Sequence, residues 1–205
     1  MKPLRLLIYD RTCAGRHGLP GLSRAWWAGA QLYRTRGLLD GQCAAASWSE
    51  ALEFLVNEQP ERAVSEVQFW GHGKWGDARI DREVLDADAA LRRHALNPAL
   101  RRLRERLTPN ALWWFRTCET LGARRGQDFA RIWADFLGAR VAGHTYIIGF
   151  WQSGLRALRP GEEARWDPRE GVEPGSTNAP AWSAASAPNT ITCFEGRGSL
   201  RRLVD

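Results

Sequence analysis

Short apolar runs alternating with segments of helical periodicity constrain this chain more than any other feature of its sequence. Residues 4–9 form the first run, closed by Asp10 and a stretch holding Gly15, Gly18, Pro20 and Gly21. A run this compact, bounded by such breakers, reads as a buried strand entering a loop. Ser23 then offers an N-cap to a helix carrying Trp26, Trp27, Ala30 and Tyr33 until Gly37 stops it. Residues 44–47 are a second strand candidate, and Ser49 caps a helix with Leu52, Leu55 and Val56 that ends before Pro60. Runs at 64–70, 111–117, 140–144 and 146–151 supply strands three to six. Between the fourth and fifth, Phe129, Ile132, Trp133 and Phe136 fall at i, i+3, i+4 and i+7 and mark a helix over 126–137.

Strands alternating with helices of this length imply βαβ crossovers. The expected architecture is α/β, a three-layer sandwich with a mainly parallel six-stranded sheet and helices on both faces. A chain of 205 residues buries enough surface to form one domain without disulfides or a structural metal. Its core is expected over residues 4–151, with 152–205 as a loop-rich extension packed on it. Pro160, Gly161, Pro168, Gly171, Pro174, Gly175, Pro180 and Pro188 break up that extension, and only residues 190–194 resemble a strand.

No apolar run approaches the roughly 20 residues of a membrane helix, and the first ten residues lack the apolar stretch of a secretory leader. A cytoplasmic location without membrane contact is therefore expected. Cys13, Cys43, Cys118 and Cys193 have no CxxC spacing, so no metal site is expected from them. The formal net charge is +6, yet among the 29 basic residues only Lys2 and Lys74 are lysines. Arg92, Arg93, Arg101, Arg102, Arg104 and Arg106 accompany Leu100, Leu103 and Leu107 at helical spacing, which turns the arginines to solvent as a hydrated face. Nucleic acid is not an expected partner.

In open parallel sheets, ligands sit at the carboxyl ends of the strands. Two such ends carry reactive groups. The third run leads into Gly71, His72 and Gly73, and the fourth leads through Arg116 and Thr117 to Cys118. A thiol and an imidazole on neighbouring strand ends supply a nucleophile and the base that takes its proton. The Gly73 and Cys118 N–H groups could hold a developing oxyanion, and a helix beginning after Cys118 would depress its thiol pKa.

An apolar strand ending in His72-Gly73, followed 46 residues later by one ending in Cys118, resembles the caspase-like cysteine peptidases, the group of caspases, metacaspases, gingipains, clostripain and separase. The resemblance covers residues 4–151 in layout. The sequence departs from the caspase pattern around the cysteine, where it reads Arg116, Thr117, Cys118, Glu119 and Thr120. What the resemblance implies is a bacterial, intracellular endopeptidase acting on a protein or peptide substrate through a Cys118 and His72 dyad, with no cofactor. In that family the residue two before the cysteine lines the pocket for the side chain preceding the cleaved bond. Arg116 stands there, so a weak preference for an acidic residue follows. The family also draws a pocket arginine from the loop after its first strand, which nominates Arg11 or Arg16.

Trp70, Trp75 and Trp151 lie near strand ends as candidates for an aromatic cleft, and Gln152 follows the sixth run where the family builds its cleft wall. His144 reads as a structural histidine rather than a ligand. The alternative to an enzyme is a catalytically inactive caspase-like module that binds or scaffolds through its tryptophan-rich rim. A regulatory partner or a homo-oligomer is compatible with either.

Overall fold

A computed structural model describes residues 1–15, 21–198 and 200. Six strands form the central sheet: β1 (Leu4–Asp10), β2 (Gly41–Ala45), β3 (Val64–Trp70), β7 (Leu107–Arg116), β8 (Arg140–His144) and β10 (Leu155–Leu158). Their spatial order is β10-β8-β7-β3-β1-β2, parallel throughout except for the antiparallel edge strand β10. Helices α1 (Leu22–Thr35), α2 (Trp48–Asn57), α3 (Asn97–Arg106) and α4 (Ala123–Leu137) supply the crossovers. The protein is thus α/β with a six-stranded, mostly parallel sheet flanked by helices on both faces.

The two faces are unequal. On one, Leu6, Val67, Phe69, Trp113 and Phe115 pack against α2, α3 and α4 in the larger core. Trp113 stacks on Trp133 of α4 with ring centroids 5.7 Å apart, and Phe115 meets Phe129 at 5.2 Å. On the other, Ala30 and Tyr33 of α1 cover Leu7, Tyr9 and Trp70. The end of the chain covers the remainder, where Ile191 and Leu200 pack on Leu112, Trp114 and Leu155. The first and last parts of the chain therefore share the face that holds Arg116.

Several boundaries differ from the sequence-based expectation. The run at 146–151 is not the sixth strand; that place belongs to β10, and Trp151–Gln152 forms the short strand β9 paired with β11 (Ile191–Thr192). Apolar residues 147–150 line a cavity instead, which accounts for their character. The strand expected at 190–194 shrinks to Ile191–Thr192. Ser23 lies within α1 and donates to Asp10 O at 2.9 Å, leaving Gly21 as an N-cap without a side chain, and Trp27 points outward. Ser47 rather than Ser49 caps α2, accepting from Glu50 N at 3.1 Å. A small antiparallel sheet of β4 (His72–Lys74), β5 (Asp77–Ile80) and β6 (Glu83–Asp86), followed by a 3-10 turn (Ala87–Ala90), was not expected at all.

Arg106 departs from the solvated arginine face. Its guanidinium turns back to the end of α2 and donates to the carbonyls of Leu55, Val56, Glu58, Gln59 and Arg62 at 2.7–2.9 Å. It satisfies orphan carbonyls at that helix terminus. The stretch at 159–190 is tied down as well: Trp166 donates to Leu121 O at 3.1 Å, and Arg156 pairs with Glu170. Among the described residues, no helix is long and apolar enough to cross a membrane.

Candidate active site

The register of the sheet places Trp70 of β3 beside Arg116 of β7, so the chain leaves both strands at the same level. His72 and Cys118 follow two residues after these partners. Both line one cavity of about 810 Å³, together with Arg116, Gln152, Trp26 and Trp70. Gly29, on the inner face of α1, lets the Trp70 ring come close; a Cβ there would lie 2.8 Å from it.

Hydroxyls and main-chain bonds hold the Cys118 loop. Thr117 and Thr120, both fully buried, share a hydrogen bond between their Oγ1 atoms at 2.5 Å, and Thr120 Oγ1 donates to Asp77 O at 2.9 Å. The Glu119 and Leu121 N–H groups donate to Tyr146 O and His144 O, each at 3.0 Å, and Gly76 N–H donates to Thr120 O at 2.8 Å. Gly73 fits into this clamp because it has no side chain: a Cβ would overlap the Thr120 hydroxyl and sit 2.8 Å from Asp77 O. Glu119 takes the left-handed backbone conformation, with φ 54°, so the loop turns sharply just past the cysteine.

The Cys118 thiol is half-buried and donates to Ile148 O at 3.9 Å. Burial pushes its pKa up and the Glu119 carboxylate adds to this, against hydrogen bonding from the backbone of Ile148 and of Cys118 itself. The expected depression by a helix dipole does not occur, because α4 begins only at Ala123 and its influence fades within a turn. Glu119 is itself buried, with Oε1 unpartnered, and burial raises its pKa, opposed by Lys74 and reinforced by Asp77.

His72 is exposed on β4. Its Nε2 lies 3.4 Å from Cys13 Sγ, and the Trp26 ring meets the imidazole edge-on at 5.7 Å. No hydrogen bond joins His72 to Cys118 among the described residues. Cys13 reaches this position because Asp10 Oδ1 accepts from both the N–H and the hydroxyl of Thr12, each at 2.7 Å, which bends the chain just after β1. Nothing in the local sequence of Cys13 announces a contact across 59 residues.

Arg116 is buried, 4% exposed, at the floor of the cavity. Nε and Nη2 donate to Gln152 Oε1 at 3.1 and 2.8 Å, Nη1 donates to Tyr33 OH at 2.7 Å, and Nη2 also donates to Cys193 O at 3.1 Å. The guanidinium lies over Trp114 at 4.5 Å, with Trp70 at 5.4 Å and Tyr33 at 5.7 Å. All its acceptors are neutral, and no carboxylate oxygen lies within ion-pair distance among the described residues. The buried Glu66 carboxyl is near enough for its charge to interact with the guanidinium, but no anion is among the direct hydrogen-bond partners of Arg116.

The remaining sequence candidates are dispersed. Arg11 pairs with Glu50 at 3.2 Å and is not among the residues lining the cavity. Arg16 lies outside the described residues. Trp75 packs beside Gly122 under the Lys74 ammonium, away from the cavity, and Trp151 stands next to the rim, against Phe150. Of the three tryptophans suggested for a cleft, only Trp70 lines it. His144 is fully buried with its pKa lowered to about 3, first by burial and then by the Arg116 charge; it is a neutral ring whose Nδ1 bonds Ser153 O at 3.2 Å. Thr117, Thr120, Tyr33 and Cys13 were missed. Comparison with known proteins returns no matching family model and no matching curated relative.

Proposed function

We propose that this chain is a caspase-like cysteine endopeptidase with Cys118 as nucleophile and His72 as general base. The observation that carries the reading is the opening of Cys118, His72 and Arg116 into one cavity at the carboxyl ends of adjacent parallel strands. In the free chain Cys118 remains a protonated thiol and His72 rests on Cys13. When a peptide carbonyl enters, the imidazole exchanges Cys13 for Cys118 and takes its proton as sulfur bonds to the carbonyl carbon. The electron pair displaced onto oxygen is held by the Gly73 and Cys118 N–H groups. Collapse breaks the C–N bond, the imidazolium gives its proton to the departing amine, and water then hydrolyses the thioester and restores the thiol. Arg116 favours an acidic side chain before the cleaved bond, because a carboxylate supplies the anion its neutral partners lack.

A second reading has a specific observation behind it. With His72 bonded to Cys13 and the Cys118 thiol raised by burial, the site also suits a catalytically silent caspase-like module that binds peptides without cutting them. Peptide-library profiling of the wild type, Cys118→Ala and His72→Ala separates the two. Cleavage lost in both variants supports the enzyme. Full activity in either variant refutes the dyad, and absence of turnover on every peptide favours the silent module.

A further inference from the structure

The rim of the cavity is made of side chains that the chemistry above does not use. Leu22, Phe150, Trp182 and Phe194 are 49%, 54%, 69% and 55% exposed, and all four line the same cavity. They come from four separate parts of the chain. Phe150 and Phe194 touch edge to face at 6.0 Å, joining the loop before β9 to the segment after β11. Isolated exposed apolar residues need no explanation, but a set gathered around one concavity marks a binding surface. Below this rim the walls stay apolar through Trp26, Ile147 and Ile148, until the buried Arg116 at the floor.

The dimensions say what fits. A cavity of about 810 Å³ is roughly 9 Å across if equant, close to three residues of extended chain. One acidic side chain fills only part of it. A flat lipid surface would meet the projecting rim but could not carry an anion down to Arg116. A peptide can do both.

Resting on the peptidase reading for its substrate class, we infer that the ligand is a peptide in which the acidic residue seated on Arg116 has bulky apolar side chains within about three positions of it, held by Leu22, Phe150, Trp182 and Phe194. Selectivity then has two sources, a charge at the floor and apolar burial at the rim, and each can be removed separately.

The test measures binding to the Cys118→Ala protein by fluorescence anisotropy, so it does not depend on turnover. Three labelled peptides are compared: an aspartate flanked by leucine and tryptophan, the same aspartate flanked by serine and glycine, and the apolar peptide with glutamine in place of aspartate. The first should bind about tenfold to a hundredfold more tightly than the second, as burying one large apolar side chain predicts. The gap should close in a variant that also carries Trp182→Ser and Phe194→Ser, whose Tm should be unchanged because both side chains are exposed. Equal affinity for the first two peptides, or binding of none, overturns the inference. Loss of binding to neutral phosphatidylcholine vesicles in the rim variant, with no difference among peptides, also overturns it and assigns the rim to lipid. Wild-type turnover of the same peptides separates the two claims: preferential binding without cleavage sinks the peptidase and leaves the rim assignment standing, whereas cleavage with equal affinities does the reverse.

Discussion

Replacing Arg116 with methionine removes the charge and keeps much of the volume. Four hydrogen bonds disappear, and Gln152 Oε1 loses both donors that reach it from the guanidinium. Leaving one buried acceptor unsatisfied costs about 1–3 kcal/mol, and bonds to a charged group contribute about 1.5–3 kcal/mol each. The stacking of the guanidinium over Trp114 at 4.5 Å adds about 1–2 kcal/mol when desolvated. Against this, the variant no longer takes a cation out of water, which returns several kcal/mol. The net expectation is a loss of about 2–4 kcal/mol, and for a chain of this size a Tm lower by about 5–15 °C. Calorimetry or thermal denaturation reads the first effect. The second is kinetic: losing a charge-assisted pair with a substrate carboxylate should lower kcat/KM for acidic peptides at least about thirtyfold, with little change for peptides carrying glutamine there. Arg116→Lys should keep part of the acid preference while losing stability, because an ammonium cannot reproduce the planar fork. An Arg116→Met protein that melts at the wild-type temperature and still prefers acidic peptides would refute both the structural and the specificity role.

Gly73→Ala should abolish activity and lower Tm, because the new methyl has Asp77 O at 2.8 Å and Thr117 Cβ at 3.0 Å to contend with; a wild-type Tm and rate would show that the clamp yields. Alkylation of Cys118 by iodoacetamide should climb about tenfold per pH unit between 7 and 9, since a thiol raised above 9.0 is less than about 1% thiolate at neutral pH. A plateau with its midpoint below pH 7 would refute burial as the dominant influence. His144, neutral in the fold with a pKa of about 3 but titrating near 6.5 when unfolded, stabilises the protein above pH 6.5. Urea denaturation should therefore show stability falling by about 1.4 kcal/mol per pH unit as pH drops from 6.5 toward 3, and less steeply in His144→Gln; equal slopes would refute it.

The parallel strands were legible because each central one is buried on both faces, so Val64–Trp70 and the end of Leu107–Arg116 stand out as unbroken apolar runs. That His72 and Cys118 open into one cavity followed from the rule about strand ends, whereas the contact of His72 with Cys13 did not. The small sheet over His72–Asp86 was not legible, since its strands are three or four residues long, too short for alternation to register. Residues 146–151 misled because the wall of a cavity and a sheet interior both accommodate apolar side chains. Leu155–Leu158 was hidden for the opposite reason: as an edge strand it is buried only at its ends. Cys13, Tyr33 and the Cys193 carbonyl reach the site only through long-range packing, where local pattern carries no information. Thr117 and Thr120 did carry a local signal, two hydroxyls three residues apart around a cysteine, and it went unread.

Arg116 holds the main-chain carbonyl of Cys193, a residue translated 77 positions after it. Tyr33, near the start of the chain, reaches the same carbonyl and that of Glu195. The floor of the cavity is thus stitched from both extremes of the polypeptide. While the ribosome is still extending the chain, the strand ends that carry His72 and Cys118 can form well before the wall beside them exists. A growing chain would carry its thiol and imidazole without the finished chamber, so the proposed hydrolysis would have to wait until synthesis has passed residue 195.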